Sequence, residues 1–209
     1  MQVSTSAGPA TAVVDDLEPG RAEPAFLLVL THGAGGGTET RDLLAASRAA
    51  REAGAVTVRV LQPYRVRGAR APGSAERQDA AWLEIIAALR ERLPGIPLIQ
   101  GGRSNGARVA CRTAQGAGAA GVIALAFPLH PPGRGGSPEY SRAGELRDAG
   151  VPVLVINGER DPFGIPDQAD ADRLVVLPGE AHALSRDPEP VARAVASWLP
   201  EVLGRVVPS

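Results

Sequence analysis

Three runs in this chain, Ala25–Leu30, Gly121–Phe127 and Val151–Ile156, are apolar at every position. A strand with one face in water alternates apolar and polar residues, whereas a strand covered on both faces does not. Such runs call for a sheet with helices on both sides, and the residues between them supply the helices. Leu43, Leu44 and several alanines form the inner face of a helix over Thr40–Ala53, with Gly54 as its stop. Ser74 caps a second helix that carries Glu76 in its first turn and Trp82, Ile85, Ile86, Leu89 and Leu93 on one face, before Pro94 and Gly95 end it. A shorter helix is expected over Ser141–Ala149, ended by Gly150. A closing helix starts at Asp187 and Pro188 and turns Val191, Val195, Trp198 and Leu199 inward. Val56–Leu61 alternates and reads as a strand. The short run Ile96–Ile99, broken only by Pro97, opens another, and Arg173–Leu177 is the last. Strands alternating with helices predict a compact α/β fold with a mostly parallel central sheet and helices on both faces.

The 209 residues suit one well-buried domain, expected over residues 25–204, and are too few for two. In the segment Met1–Pro24, Thr11–Val14 forms an edge strand before the turn-prone Glu18–Gly20, or the segment stays partly disordered. Gln62–Gly73 and Pro128–Pro138, both rich in proline and glycine, are expected loops. The net charge of −1 gives no field that would draw nucleic acid or an anionic membrane, so neither is an expected partner. No apolar run approaches the ~20 residues a membrane helix needs. No basic start followed by a long apolar core suggests a secretory leader. A single cysteine, Cys111, allows no intramolecular disulfide and is consistent with a reducing compartment, so a cytoplasmic location is expected. Lysine is absent, and arginine supplies every basic side chain. The oligomeric state is left open.

The chemistry-bearing residues all fall just after strands, where open α/β sheets place their sites. Gly102–Gly106 is a G-x-S-x-G with Ser104 at its centre, a strand before it and a possible helix, Asn105–Arg112, behind it. A serine on so tight a strand-to-helix turn needs a strained backbone, and glycines at 102 and 106 remove the side chains that would collide. The hydroxyl then stands beside the free N–H groups of a helix start. Serine is a poor nucleophile without a base. Of the three histidines, His32, His130 and His182, the last is the best base, because its loop lies between the final strand and the final helix. Asp161, after a late strand and held by Pro162 and Gly164, would orient His182; Glu159 is a competitor. The glycine-rich loop His32–Gly37 would turn backbone N–H groups toward an oxyanion. The expected donors are those of Ala34 and Asn105, with His32 and Gly33 in support. The rival reading of that loop as a phosphate turn lacks the third glycine. It also has Val60 and Leu61 where an acidic ribose partner would end the next strand. Arg65, Arg67 and Arg70 on one loop and His130 on another are candidates for contact with substrate. No metal and no organic cofactor is implied.

Ser104, Asp161, His182 and the His32–Gly33 loop together resemble the α/β-hydrolase superfamily. More narrowly, Leu30–Gly36, Gly101–Arg108, Phe127–Gly133 and Gly158–Gly164 are similar to a small-hydrolase group. That group contains bacterial dienelactone-hydrolase-like proteins, a testis-expressed hydrolase-like protein and a subunit of a chromatin acetyltransferase complex. The resemblance covers roughly Ala25 to Leu203. It implies an α/β-hydrolase fold with little or no lid and a Ser-His-Asp site. True dienelactone hydrolases usually carry cysteine at the position of Ser104. Expectation therefore settles on a serine hydrolase acting on a small acyl substrate, an ester or thioester, through an acyl-enzyme. The alternatives are a non-catalytic scaffold on the same fold, as among the group's eukaryotic members, and acyl transfer to an acceptor other than water.

Overall fold

The computed structural model describes residues 1–15 and 23–205. The strands are β1 (Gln2–Val3), β2 (Ala10–Asp15), β3 (Phe26–Thr31), β4 (Ala55–Leu61), β5 (Leu98–Arg103), β6 (Gly121–Leu125), β7 (Val153–Gly158) and β8 (Arg173–Leu177). The α-helices are α1 (Arg41–Glu52), α2 (Pro63–Val66), α3 (Ala75–Arg90), α4 (Asn105–Ala117), α5 (Ala143–Arg147) and α6 (Glu189–Leu203). One sheet holds all eight strands in the order β1-β2-β4-β3-β5-β6-β7-β8. Strands β3 to β8 run parallel, while β1 and β2 are antiparallel at one edge. This is a compact α/β-hydrolase fold.

The unbroken apolar runs do what their composition requires. In β3, Leu27 and Val29 enter a core that also contains Trp82 of α3 and Val109 of α4. Phe26, Leu28 and Leu30 enter the opposite core, with Leu43 of α1 and Trp198 of α6. Each such burial is worth roughly 1.5–3 kcal/mol, so both faces of the sheet contribute. Gln100 is the polar exception inside β5, and it is fully paired. It accepts from Trp82 Nε1 at 2.9 Å and donates to the Ala110 carbonyl at 2.7 Å and to Thr113 Oγ1 at 3.1 Å. That amide ties α3, β5 and α4 together directly beneath the serine turn.

Several boundaries differ from expectation for identifiable reasons. Thr11–Val14 forms within β2, but β1 takes the edge outside it; the expected turn at 18–20 lies outside the described residues. The loop after β4 contains the single-turn helix α2, opened by Pro63 in its first turn. β6 stops at Leu125 because Ala126 takes a positive φ of 47° and turns the chain out of the sheet. Helix α5 is shorter than the expected Ser141–Ala149, because Ser141 is extended, at φ −63° and ψ 136°, and the last turn closes at Asp148.

Strand order also sets the location of the site. From β3 the chain crosses to β4 on one side, then returns to β5 on the other, so β3 and β5 lie side by side at a reversal point. Loops diverge there, and a crevice opens beyond the carboxyl ends of the strands. No helix among the described residues is long and apolar enough to cross a membrane.

Candidate active site

Arg103 ends β5 and Asn105 begins α4, leaving Ser104 alone to make the turn, at φ 53° and ψ −114°. Few non-glycine residues adopt such a backbone, and it persists only where the surroundings impose it. The imposition here is steric. A Cβ on Gly102 would sit 2.6 Å from the Thr31 carbonyl oxygen, and one on Gly106 would sit 2.7 Å from the His32 carbonyl oxygen. Only glycine lets β3, β5 and α4 approach this closely.

Three distant side chains meet at this turn. Ser104 Oγ lies 2.9 Å from His182 Nε2, and His182 Nδ1 lies 2.8 Å from Asp161 Oδ2. The Asp161 carboxylate is fully buried, while the His182 ring keeps 19 % exposure toward the crevice. Oδ1 of Asp161 accepts from the Phe163 N–H at 2.9 Å, and Asn157 Nδ2 approaches Oδ2 at 3.4 Å. The Phe163 ring stands edge-on to the His182 ring at 4.4 Å. Glu159, the sequence competitor of Asp161, instead accepts from the Gly179 N–H at 2.8 Å and braces the turn before the histidine loop.

The glycine loop is equally fixed. Gln62 N–H donates to His32 Nε2 at 3.0 Å, so that nitrogen must be the acceptor. Nδ1 then carries the proton and donates to the Gly33 carbonyl at 2.8 Å. Burial, and secondarily the charge of Arg65, lowers the His32 pKa from the ordinary histidine value against the opposing Gly33 bond, which keeps this ring neutral. Arg65 Nε donates to the Gly36 carbonyl at 2.9 Å. His32 and Arg65 thus support the loop from below and do not face the crevice. Neither the Ala34 nor the Asn105 N–H meets a backbone acceptor among the described residues.

Gly33, Ala34, Ser104, Asn105, Phe163 and His182 line one cavity of about 340 Å³. A larger hollow of about 590 Å³ lies at the opposite, amino ends of β7 and β8, and among the described residues its walls contain no serine, cysteine or histidine. The other sequence candidates do not reach the cavity beside Ser104. Arg67 donates to the Ala7 carbonyl in the N-terminal segment. Arg70 lies against Gly35, outside the cavity lining. The His130 ring is buried behind Gly164, and its backbone N–H donates to the Phe163 carbonyl at 2.9 Å. Their loops follow strands, but Arg67 is spent on the N-terminal segment, Arg70 is exposed beside the glycine loop, and the His130 ring is buried away from the cavity.

The sequence reading missed four residues. Arg103 precedes the serine, forms an ion pair with the buried Asp42 at 3.0 Å, and donates from Nη2 to the His182 carbonyl at 3.0 Å. Asn157 ends the apolar β7 run as a buried amide; it bonds both the N–H and the carbonyl of Phe127 and approaches Asp161. A lone amide at the end of an apolar strand was a readable signal. Arg108, one helical turn past Ser104, also lines the cavity, and its spacing made it findable. Arg142 lines it too, from a loop with no local signal at all.

Residues 24–181 match the model of the alpha/beta hydrolase domain family, and the chain belongs to that family. No protein of curated function matches it in sequence. Solved structures share the fold. XC6422 from Xanthomonas campestris, described as an a/b serine hydrolase without lid, is 23 % identical with a TM-score of 0.71, over 100 % of this chain and 94 % of that one. Est1E from Butyrivibrio proteoclasticus is 18 % identical with a TM-score of 0.76, over 98 % of each chain. TT1662 from Thermus thermophilus is 24 % identical with a TM-score of 0.66, over 97 % of each chain.

Proposed function

We propose that this member of the alpha/beta hydrolase domain family is a serine hydrolase that cleaves a small ester or thioester through Ser104, His182 and Asp161. The observation that carries the reading is the unbroken relay Asp161–His182–Ser104, with bonds of 2.8 and 2.9 Å, opening on a cavity beside two N–H groups, those of Ala34 and Asn105, that meet no backbone acceptor among the described residues. His182 Nε2 takes the Ser104 proton as Oγ attacks the acyl carbonyl. The oxyanion of the tetrahedral intermediate is held by the Ala34 and Asn105 N–H groups, each worth ~3 kcal/mol at such a position. His182 then protonates the leaving alcohol or thiol. A water that gives its proton to the same nitrogen releases the acid and restores the serine. Asp161 keeps His182 in the tautomer this requires and stabilises the imidazolium. The cavity volume suits a small acyl substrate. The likeness to the dienelactone-hydrolase-like group supports a small substrate as well, with serine in place of the usual cysteine.

Labelling with a fluorophosphonate probe tests the assignment. Expected is one covalent adduct on Ser104, absent in Ser104→Ala and strongly slowed in His182→Ala. A folded protein that takes no label would instead favour a binding or scaffold role on this fold. Product analysis with added alcohols or thiols distinguishes hydrolysis from acyl transfer.

A further inference from the structure

Three guanidinium groups stand near the cavity wall between α4 and α5, and only two of them are answered by carboxylates. Arg108 grips Glu145 with its Nε and Nη2 edge, at 2.8 and 2.5 Å. Arg112 grips Asp79 with the same edge, at 2.8 and 2.7 Å, and reaches Glu145 with Nη1 at 3.4 Å. Arg142 is different. Its Nη1 is tied to the carbonyls of Pro128 at 3.1 Å and His130 at 3.3 Å, which fixes the plane of the guanidinium. Its Nε and Nη2 edge meets no acceptor, and no carboxylate pairs with it, among the described residues. The fork that its two neighbours close on a carboxylate is held open on a residue that lines the catalytic cavity.

We propose that Arg142 is the recognition site for a carboxylate carried by the substrate, so that the ester cleaved at Ser104 is the monoester of a small dicarboxylic acid or a similarly anionic acyl compound. Arginine and a carboxylate match through two parallel N–H···O bonds, a geometry this chain already forms twice within the same cluster. Partial burial, and then the nearby charge of Arg108, lowers the Arg142 pKa from the ordinary arginine value. Glu145 opposes that shift from nearby, but its oxygens are bonded by Arg108 and Arg112, so an incoming anion supplies the carboxylate that the Arg142 fork itself does not hold among the described residues. Arg108, also in the cavity wall, adds a second positive charge whose own fork is already filled. The inference rests on the proposed hydrolase reading.

The test compares two substrates of equal acyl length: the 4-nitrophenyl monoester of adipic acid, and the same compound with its free acid methylated. Each hydrolysis consumes one water and releases 4-nitrophenol. The wild type is expected to favour the anionic ester by about ten-fold or more in kcat/KM, and the preference should shrink as salt is raised. Arg142→Gln should bring the ratio of the two rates close to unity, and Arg142→Lys should recover only part of it, since ammonium lacks the fork. The ratio does not depend on how much of a variant is folded. Adipate binding to Ser104→Ala, read by calorimetry, gives a readout that needs no catalysis: binding is expected there and its loss on adding Arg142→Gln. Turnover of both esters with no preference, or a ratio unchanged in Arg142→Gln, overturns the anion site while leaving the hydrolase intact. Absence of both turnover and fluorophosphonate labelling overturns the hydrolase reading, and adipate calorimetry then decides the anion site alone.

Discussion

The serine turn and the histidine loop face each other across 2.9 Å, yet they are held in place by different means. Ser104 is fixed locally. Its neighbours Gly102 and Gly106 leave no other packing of β5 and α4, and the strained φ of 53° follows from that crowding. The His182 loop is held by hydrogen bonds. Some lie within it, from the Arg186 and Asp187 N–H groups to the buried Glu180 at 3.0 Å each, and others come from afar, from Arg103 to the His182 carbonyl, with the Phe163 ring edge-on to the imidazole. Ser104 is positioned mainly by what is missing around it, whereas the His182 loop adds bonds that reach toward it to a similar gap at Gly158, where a Cβ would sit 2.5 Å from the Glu180 carbonyl oxygen. Damage to the first should appear as lost stability, and damage to the second as lost rate in a protein that still folds.

The largest effect tests whether the two halves act as one unit. Ser104→Ala and His182→Ala should each lower kcat by about 10⁶-fold, and the double variant should lose little more. Steady-state kinetics with active-site titration would reveal additive losses, which would mean that the residues act separately. Asp161→Asn should lower kcat by about 10⁴-fold with a melting temperature near that of the wild type, because the amide favours the wrong imidazole tautomer. A rate close to wild type would remove Asp161 from the relay.

The two glycines sharpen the contrast on the stability side. Gly106→Ala puts a Cβ 2.7 Å from two backbone oxygens, those of Thr31 and His32, so a loss of about 4 kcal/mol or failure to fold is expected in urea titration. A tolerated alanine would mean that the turn is not sterically imposed. Arg103 couples the two regions and should show both signatures. Arg103→Met removes the bond to the His182 carbonyl and leaves the buried Asp42 carboxylate unpaired, a loss of about 3–5 kcal/mol in charge pairing. A slower fluorophosphonate reaction should accompany it in the fraction that folds. Unchanged labelling would show that the histidine loop stands without this strut.

The smallest effect is a matter of pH. Burial raises the Asp42 pKa above the ordinary carboxylate value, and Arg103 only partly opposes it. The folded protein therefore binds the Asp42 proton more tightly than the unfolded chain does. That contribution to stability is complete below the unfolded pKa and is lost as pH rises through the raised one. The stability margin of wild type over Asp42→Asn should accordingly narrow with rising pH in that window. A margin that widens would show the Arg103 charge outweighing burial.

The sequence by itself determined the sheet, the layers on both its faces and the serine turn. Apolar periodicity and glycine crowding act between near neighbours along the chain, and one sequence displays them fully. The pairing partners in the relay were also legible, because each side chain follows a strand of a parallel sheet and the carboxyl ends of such strands share one rim. Which polar side chains enter the cavity was decided only by the tertiary structure. Arg67, Arg70 and His130 occupy loops at the expected rim, yet Arg67 bonds the N-terminal segment, Arg70 stays exposed beside Gly35 and His130 is buried behind Gly164, whereas Arg103, Arg108 and Arg142 line the cavity. A long side chain goes where its acceptors are, and those acceptors are carboxylates and carbonyls brought close by strand order across tens of residues. Local sequence carries no record of that proximity.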